Sequence, residues 1–216
     1  MSDVLELVEA RLRTALGEPD GRAAVTFLGA ERIEVLRFQD DSGDGDVVRY
    51  ATLGMSARPM TDPAGPSPDH RPSAGGLAAP LSITFADPVR GPRAELLLSV
   101  RAGRADTDKV LRPLAVLAAS PQVEGVVVAP GGSLDVGGPL WPDAPFGSVL
   151  VAEPGGLVED LELPAPMDPV RFLPLLPMTP GEAAWKRVHG AGALEKRWLT
   201  YGTDLRDPGR TAVPLD

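Results

Sequence analysis

Apolar residues recur every three or four positions near the start of the chain, and this spacing predicts an amphipathic helix over residues 3–16. The apolar positions are Val4, Leu5, Val8, Leu12 and Leu16. Ser2 or Asp3 is a suitable cap for this helix, and Gly17 is a suitable stop. We expect the helix to pack on the domain, with docking to a partner as the alternative.

Shorter apolar runs that are rich in β-branched and aromatic residues predict strands. Residues 32–38 and 46–53 lie on either side of the polar turn QDDSGDGD, and we expect them to form a β-hairpin. The run RAELLLSV, residues 93–100, predicts a buried strand because it is apolar and short. The other predicted strands are residues 80–86, 148–153, 157–163 and 170–176.

Later in the chain, helical patterns cover residues 106–119, 179–188 and 191–199. Pro113 should kink the first of these helices or move its start to a later residue. The second begins with TPGE, which has the form of a capping box, and Gly190 should break the helix before it resumes.

Six prolines crowd residues 59–80, a composition that favours neither a helix nor a central strand. We interpret this segment as a mobile insertion and not as a domain boundary. The tail over residues 202–216 is predicted to be loosely held. Together the patterns predict a single α+β domain over residues 1–216, with a mixed, largely antiparallel sheet, flanking helices and a core at about residues 32–200.

The chain of 216 residues has a formal net charge of -9 and no cysteine. An acidic chain without a basic run is repelled by a nucleic-acid backbone, so we expect no nucleic-acid partner. The absence of cysteine excludes disulfides, thiol catalysis and cysteine-ligated metals. Acidic residues interrupt the apolar N-terminus, and no apolar run approaches the roughly 20 residues of a membrane span. We therefore expect a cytoplasmic protein without a membrane partner.

Several chemical motifs are present only in part. Residues 40–46, DDSGDGD, resemble the start of a calcium loop, but Ala51 stands where that loop needs a glutamate. Ser56 and Ser133 each resemble the serine of a nucleophile elbow, but both strings lack the final glycine. Neither of the two histidines lies in a context that predicts a general base.

The glycine-rich run GGSLDVGG lacks the lysine of a phosphate loop, and no dinucleotide-binding fingerprint follows a strand. Glu159, Asp160 and Glu162 are expected to form a solvated face and not a general-acid site. We therefore predict no catalytic, cofactor or metal site, and a hydrolase is an alternative that the sequence disfavours. The sequence therefore favours a binding function over an enzymatic one.

The stretch YATLGMSARPM, residues 50–60, begins as a strand, breaks at Gly54 and reverses direction at Pro59. Met55 and Met60 bracket the turn, and we expect them to pack in the core, with contact to a partner as the alternative. The candidate partner-binding residues are Met55, Ser56, Arg58 and Met60 in this stretch, and Ser133 and Asp135 in the glycine-rich run.

The order of several sequence strings is the most family-specific feature of the chain. TLGMSARPM at residues 52–60 is followed by RAELLLSV at residues 93–100 and PGGS at residues 130–133. The strand SVLVAE and the ending FLPLLPMTPGEAAWKRVHGAGALEKRW come later. Over about residues 36–199, these strings resemble the suppressor-of-fused domain family in order and approximate spacing. Gly132 stands where members of that family commonly have histidine, so no role of that histidine carries over.

The resemblance implies a suppressor-of-fused-like fold and binding without chemistry. In animals, the namesake of the family restrains transcription factors of Hedgehog signalling by holding a short peptide between lobes. Bacterial members are often encoded near polymorphic toxin genes and are thought to act as immunity proteins. A single family domain without an animal-type extension resembles the bacterial kind.

The resemblance leads to two binding hypotheses. The first is an immunity protein that occludes a polymorphic toxin, and the acidic charge suits a basic toxin domain as its partner. The second is a regulator or chaperone-like adaptor that captures an extended peptide at a sheet edge, with the proline-rich insertion as a lid.

Overall fold

The computed structural model describes residues 3–27, 31–40, 46–60, 87, 89–103 and 105–215. The centre of the predicted hairpin turn, which contains most of the calcium-like string, lies outside the described residues. The predicted strand over residues 80–86 and the part of the proline-rich insertion beyond Met60 also lie outside them.

A seven-stranded sheet forms the centre of the fold. Its strands are β1 (Gly21–Val25), β2 (Ile33–Asp40), β3 (Val47–Leu53), β4 (Arg93–Arg101), β5 (Ser133–Asp135), β6 (Ser148–Val151) and β7 (Val170–Met178). They lie in the order β1-β2-β3-β4-β7-β6-β5, and every neighbouring pair is antiparallel except β4 with β7. The predicted α+β class and the mixed, largely antiparallel sheet are confirmed, as is the β2–β3 hairpin pairing.

The sheet is flanked by helices α1 (Val4–Leu16), α2 (Leu111–Glu124), α3 (Pro180–His189) and α4 (Ala191–Thr200). A 3-10 turn, Thr107–Val110, precedes α2, so Pro113 lies in the first turn of the α-helix, where its missing N–H breaks no hydrogen bond. α3 begins with the predicted capping box, in which the Thr179 hydroxyl accepts from the Glu182 N–H at 3.3 Å. Within the described ranges, no helix is both long and apolar enough to cross a bilayer.

The pleat of the strands divides the core into one layer on each face of the sheet. β7 shows this division, because Leu173 and Leu175 pack in a cluster with α2, while Phe172 and Met178 turn to the opposite face. α2 covers the first face, and α1, α3 and α4 cover the second. The sheet is therefore buried between helices on both sides.

Three elements differ from the sequence prediction. The run over residues 157–163 is not a strand, since only Leu161 bridges to Val170. Its apolar residues Val158 and Leu163 pack in the same cluster as α1, so their spacing reflects burial and not strand pairing. The sequence pattern predicts neither β1, which is half exposed and alanine-rich, nor β5, which has three residues.

Buried residues lie inside the limits predicted for the insertion and for the loose tail. Pro59 and Met60 are buried, and the Met60 N–H donates to Pro92 O at 2.8 Å, so these two residues belong to the packed fold. In the tail, Arg210 and Val213 are buried against α3 and α4. The tail is held because Arg210 pairs with a buried carboxylate, a contact that the local sequence pattern cannot reveal.

Candidate functional site

Glu95 of β4 holds the stretch YATLGMSARPM in place. Its side chain is fully buried, and Oε1 accepts hydrogen bonds from the Gly54 N–H at 2.9 Å, the Ser56 N–H at 3.0 Å and Ser56 Oγ at 2.6 Å. Thr52 Oγ1 donates to Oε2 at 2.6 Å. Burial raises the pKa of Glu95 above its ordinary range, and the four donors oppose this shift only in part. One side chain thus joins the end of β3, the turn and β4.

The turn after β3 requires glycine at its first position. Gly54 has φ of 130°, and a Cβ at this position would lie 2.5 Å from Arg32 O. The following 3-10 turn, Met55–Ala57, is fixed from the other side by Arg93, whose Nη1 donates to Ser56 O at 2.7 Å. These contacts fix the stretch as a buried joint, that is, a rigid connection between the end of β3 and β4.

The structure places three of the candidate partner-binding residues in the core. Met55, Ser56 and Met60 are at most 4% exposed. For the two methionines, the packing alternative is the one that the structure shows. Arg58 is exposed and pairs with Glu31 at 2.6 Å.

Neither candidate serine has the surroundings of a nucleophile. Ser56 is inaccessible, and Ser133 lies on β5, which β6 and β7 separate from β4. Ser133 Oγ accepts a hydrogen bond from Lys186 Nζ at 2.9 Å, while the ring of His189 stacks on Trp185 with centroids 3.9 Å apart. Among the described residues, no group of three or more histidine, aspartate or glutamate side chains is arranged to hold a metal.

Ser133 and Asp135 instead lie on an open edge of the sheet. Gly132 O accepts a hydrogen bond from Val151 of β6 at 3.0 Å, and the Val136 N–H donates one at the other end of the strand pair at 3.0 Å. Because hydrogen-bonded positions alternate in an antiparallel pair, the N–H and C=O groups of Ser133 and Asp135 point away from β6. No strand in the described part of the chain pairs with β5 on that side.

A groove of about 340 Å³ lies between α2 and this open edge. Val116, Val126 and Val127 line it and are 43%, 37% and 41% exposed. Val123 is 55% exposed and follows Val116 by seven residues, which places it on the same face of α2. Clustered exposed valines beside unpaired backbone groups are typical of an interaction site.

The other face of β5 is bordered by α3, as the hydrogen bond between Lys186 and Ser133 shows. In the parts of the chain that the structure describes, no carboxylate forms an ion pair with Lys186, Arg187 or Lys196. Because the exposed Glu195 of α4 is outnumbered by these cations, α3 and α4 present a net positive surface, although the whole chain has a net charge of -9.

Sequence reasoning missed several residues of these two regions. For Glu95, the available signal was an acidic residue inside an otherwise apolar strand. For the groove, the signal was the run of three valines directly after α2. No sequence signal connects Lys186 to Ser133, because the contact joins residues 53 positions apart.

The solved structures that are similar to this chain include three SUFU proteins. A protein described as a SUFU homolog from Neisseria gonorrhoeae FA 1090 has a TM-score of 0.69 and 18% identity, over 99% of this chain and 98% of that one. The Sufu–Fu complex gives 0.60 and 12%, over 97% and 91%. Drosophila Suppressor of Fused gives 0.54 and 11%, over 98% of this chain and 50% of that one. Identities this low show a shared fold alone.

The family comparison covers most of the chain. No match was found among curated protein sequences. The family model described as Suppressor of fused protein (SUFU) matches residues 29–211, which confirms the resemblance found in the sequence strings. Because this match spans more than half of its residues, the chain belongs to the Suppressor of fused protein (SUFU) family.

Proposed function

We propose that this chain is a non-enzymatic module that captures an extended segment of a partner protein at the open edge of β5. The observation that supports this proposal most strongly is an edge strand whose backbone groups point outward beside a groove of exposed valines. A segment that pairs with β5 would satisfy the backbone groups of Ser133 and Asp135 and cover the valines. Family membership supports a protein partner, since one SUFU structure is a complex of Sufu with Fu.

The opposite edge of the sheet is less suited to such pairing. β1 carries Arg22, which pairs with Glu9 of α1 and with Glu34 of β2. Charged side chains on an edge strand protect it from added strands. β5 also carries a charged residue, Asp135, but only β5 borders the groove of exposed valines, so β5 is the edge that favours an extended partner.

Selection from a display library of random peptides of about nine residues tests this function. Peptides should be enriched on the wild-type chain, and a synthetic copy of one should bind about tenfold more weakly to Val127→Asp, because the partner would bury an unpaired charge. Ser133→Pro should also weaken binding, since it removes an outward N–H without removing a bond to β6.

Leu157→Asp is the matched control, because Leu157 is 42% exposed but lies outside the groove. It should bind the peptide as the wild type does, and thermal melting should show that all variants are folded. Absence of any enriched peptide, or equal losses in Val127→Asp and Leu157→Asp, would contradict capture at β5.

A second candidate function is neutralisation of a polymorphic toxin by occlusion, in the cytoplasm of the cell that makes the chain. The net charge of -9 favours a basic toxin domain, since complementary charge speeds encounter and selects partners. Co-expression with the product of a neighbouring toxin-like gene should restore growth, and the two proteins should co-purify. If neither happens, toxin neutralisation is wrong, while peptide capture is judged separately by the library selection.

A further inference from the structure

The two faces of β5 offer different chemistry to a captured segment. Side chains of an added strand alternate between the faces in step with those of β5. Leu134 packs in the cluster on the α2 face, so a residue opposite Leu134 turns toward the groove valines. Residues opposite Ser133 and Asp135 turn to the face that α3 borders. An apolar residue therefore fits the first position, and polar residues fit the other two.

Lys186 determines which charge suits the position opposite Ser133. Its ammonium group donates to Ser133 Oγ at 2.9 Å, and it forms no ion pair with any described carboxylate. Side chains directly opposite each other in paired strands have Cβ atoms about 5 Å apart. A carboxylate opposite Ser133 would thus come within reach of Lys186.

Asp135 has the opposite effect two positions along β5. Its Oδ1 accepts a hydrogen bond from the Gly137 N–H at 2.8 Å, and it forms no ion pair with any described cation. Like charges directly opposite each other destabilise strand pairing, and opposite charges stabilise it. A basic residue therefore suits the position opposite Asp135.

We propose, on the basis of the capture function above, that the partner segment carries an acidic residue opposite Ser133, an apolar residue opposite Leu134 and a basic residue opposite Asp135. A segment that runs parallel to β5 reads acidic–apolar–basic from its N-terminus. An antiparallel segment reads basic–apolar–acidic. The order that binds thus also reports the direction of pairing.

The display library tests this pattern with variants of Lys186. On the wild-type chain, acidic residues should be enriched about two- to fivefold at one end of the triad, the range that an exposed ion pair supports. On Lys186→Glu, basic residues should replace them at that position. Lys186→Gln should abolish the preference without reversing it, which shows that charge, and not misfolding, is responsible.

Lys196→Glu is the matched control, because Lys196 lies on α4, is exposed and also lacks an ion pair with a described carboxylate. It should leave the selected pattern unchanged. If the wild type and Lys186→Glu enrich peptides with the same triad, the proposed charge pattern is wrong, but capture at β5 is not contradicted. No enrichment on the wild-type chain overturns both.

Discussion

At the residue scale, the buried carboxyl group of Glu95 holds the strand-to-turn stretch through four hydrogen bonds. It accepts from Thr52, Gly54 and Ser56, and these donors would lose their partner if the side chain were removed. Buried donors without a partner are costly, because they have left water and gained nothing in exchange. The strand-to-turn stretch thus depends on a residue of another strand.

Glu95→Ala should lower the free energy of unfolding by about 3 kcal/mol or more, because it leaves several buried donors unsatisfied. Glu95→Gln should cost less, about 1–2 kcal/mol, because its carbonyl oxygen can still accept from Gly54 and Ser56. Glu159→Ala, at a side chain that is 85% exposed, is the control and should change stability by less than about 0.5 kcal/mol. Urea unfolding measures all three, and a larger loss for the glutamine variant would contradict this order.

The raised pKa of Glu95 adds a pH dependence with a definite sign. A carboxyl group whose pKa is higher in the folded state binds more protons when folded, so its contribution to stability falls as pH rises from the ordinary glutamate range through the raised pKa. Glu95→Gln lacks this titration. The stability advantage of the wild type over Glu95→Gln should therefore narrow across that window, and a widening gap would show that the pKa is not raised.

At the element scale, the start of α3 and the C-terminal tail stabilise each other. Glu182 completes the capping box of α3, whose N-cap is Thr179, and it is fully buried. Its Oε1 accepts hydrogen bonds from Arg210 at 2.7 Å and from Trp198 at 2.9 Å. Burial alone would raise the pKa of Glu182, but the hydrogen bonds from Arg210, Thr179 and Trp198 outweigh it and lower that pKa. The helix cap is therefore also the anchor of the tail.

Arg210→Ala should lower the free energy of unfolding by about 3–5 kcal/mol, because it leaves the carboxylate of Glu182 buried without a counter-charge. Arg206→Ala is the control in the same tail, since its ion pair with Asp204 is partly exposed, and it should cost less than about 1 kcal/mol. Chemical denaturation measures both losses. Similar losses in the two variants would show that the tail is not anchored through Glu182.

Acidification gives an independent check on the anchor. Because the pKa of Glu182 is lowered in the folded state, Glu182 stabilises the fold at pH values above the ordinary pKa range of glutamate. This contribution is lost as the pH falls through the lowered pKa. The difference in stability between wild type and Arg210→Ala should therefore shrink at acidic pH. A constant difference would indicate that Arg210 acts through packing against Phe146 and Trp198 alone.

Elements with local signals were predictable from the sequence, and elements that depend on distant partners were not. The apolar spacing of α1 and the TPGE cap of α3 lie within a few residues, and both helices were found with correct boundaries to within one or two residues. β5 has three residues and exists because β6 pairs with it. The contact of Arg210 with Glu182 likewise joins residues 28 positions apart.

The candidate partner-binding residues also fall into two groups. Ser133 and Asp135 were named from a glycine-rich run, and the structure places both on the open edge beside the groove. Met55, Ser56 and Met60 were named from a turn that proves to be a buried joint. The sequence does not show that this turn is buried, because Glu95, whose hydrogen bonds hold the turn in the core, lies on a strand about 40 residues later.

At the scale of the whole molecule, charge is unevenly distributed. The chain has a net charge of -9, yet Lys186, Arg187 and Lys196 on α3 and α4 have no ion pair with a described carboxylate. An acidic surface elsewhere can steer a basic partner over distances of about one Debye length, roughly 8–10 Å, while the contacts at β5 select by local charge. The net negative charge can thus attract basic residues of a partner from a distance, while the local charges at β5 select other residues of the same partner.

β7 joins the two parts of the sheet. Its first half pairs with β4, and its second half pairs with β6, so the strand belongs to both. The cluster on the α2 face also spans both parts, because it includes Val48 of β3 together with Val149 of β6 and Trp141. A chain whose core and central strand are shared in this way should unfold as one cooperative unit, as the single-domain prediction requires.

Two optical probes test this cooperativity. All three tryptophans, Trp141, Trp185 and Trp198, lie in the C-terminal part of the chain, whereas far-UV circular dichroism reports all four helices, including α1 and α2. The tryptophan fluorescence and the dichroism should report the same urea midpoint and slope. Arg210→Ala removes contacts with Glu182, Phe146 and Trp198, all in the C-terminal part of the chain, yet it should shift both transitions equally. If fluorescence moves to lower urea while part of the dichroism change keeps the wild-type midpoint, the strands on either side of β7 unfold separately and the chain contains two units.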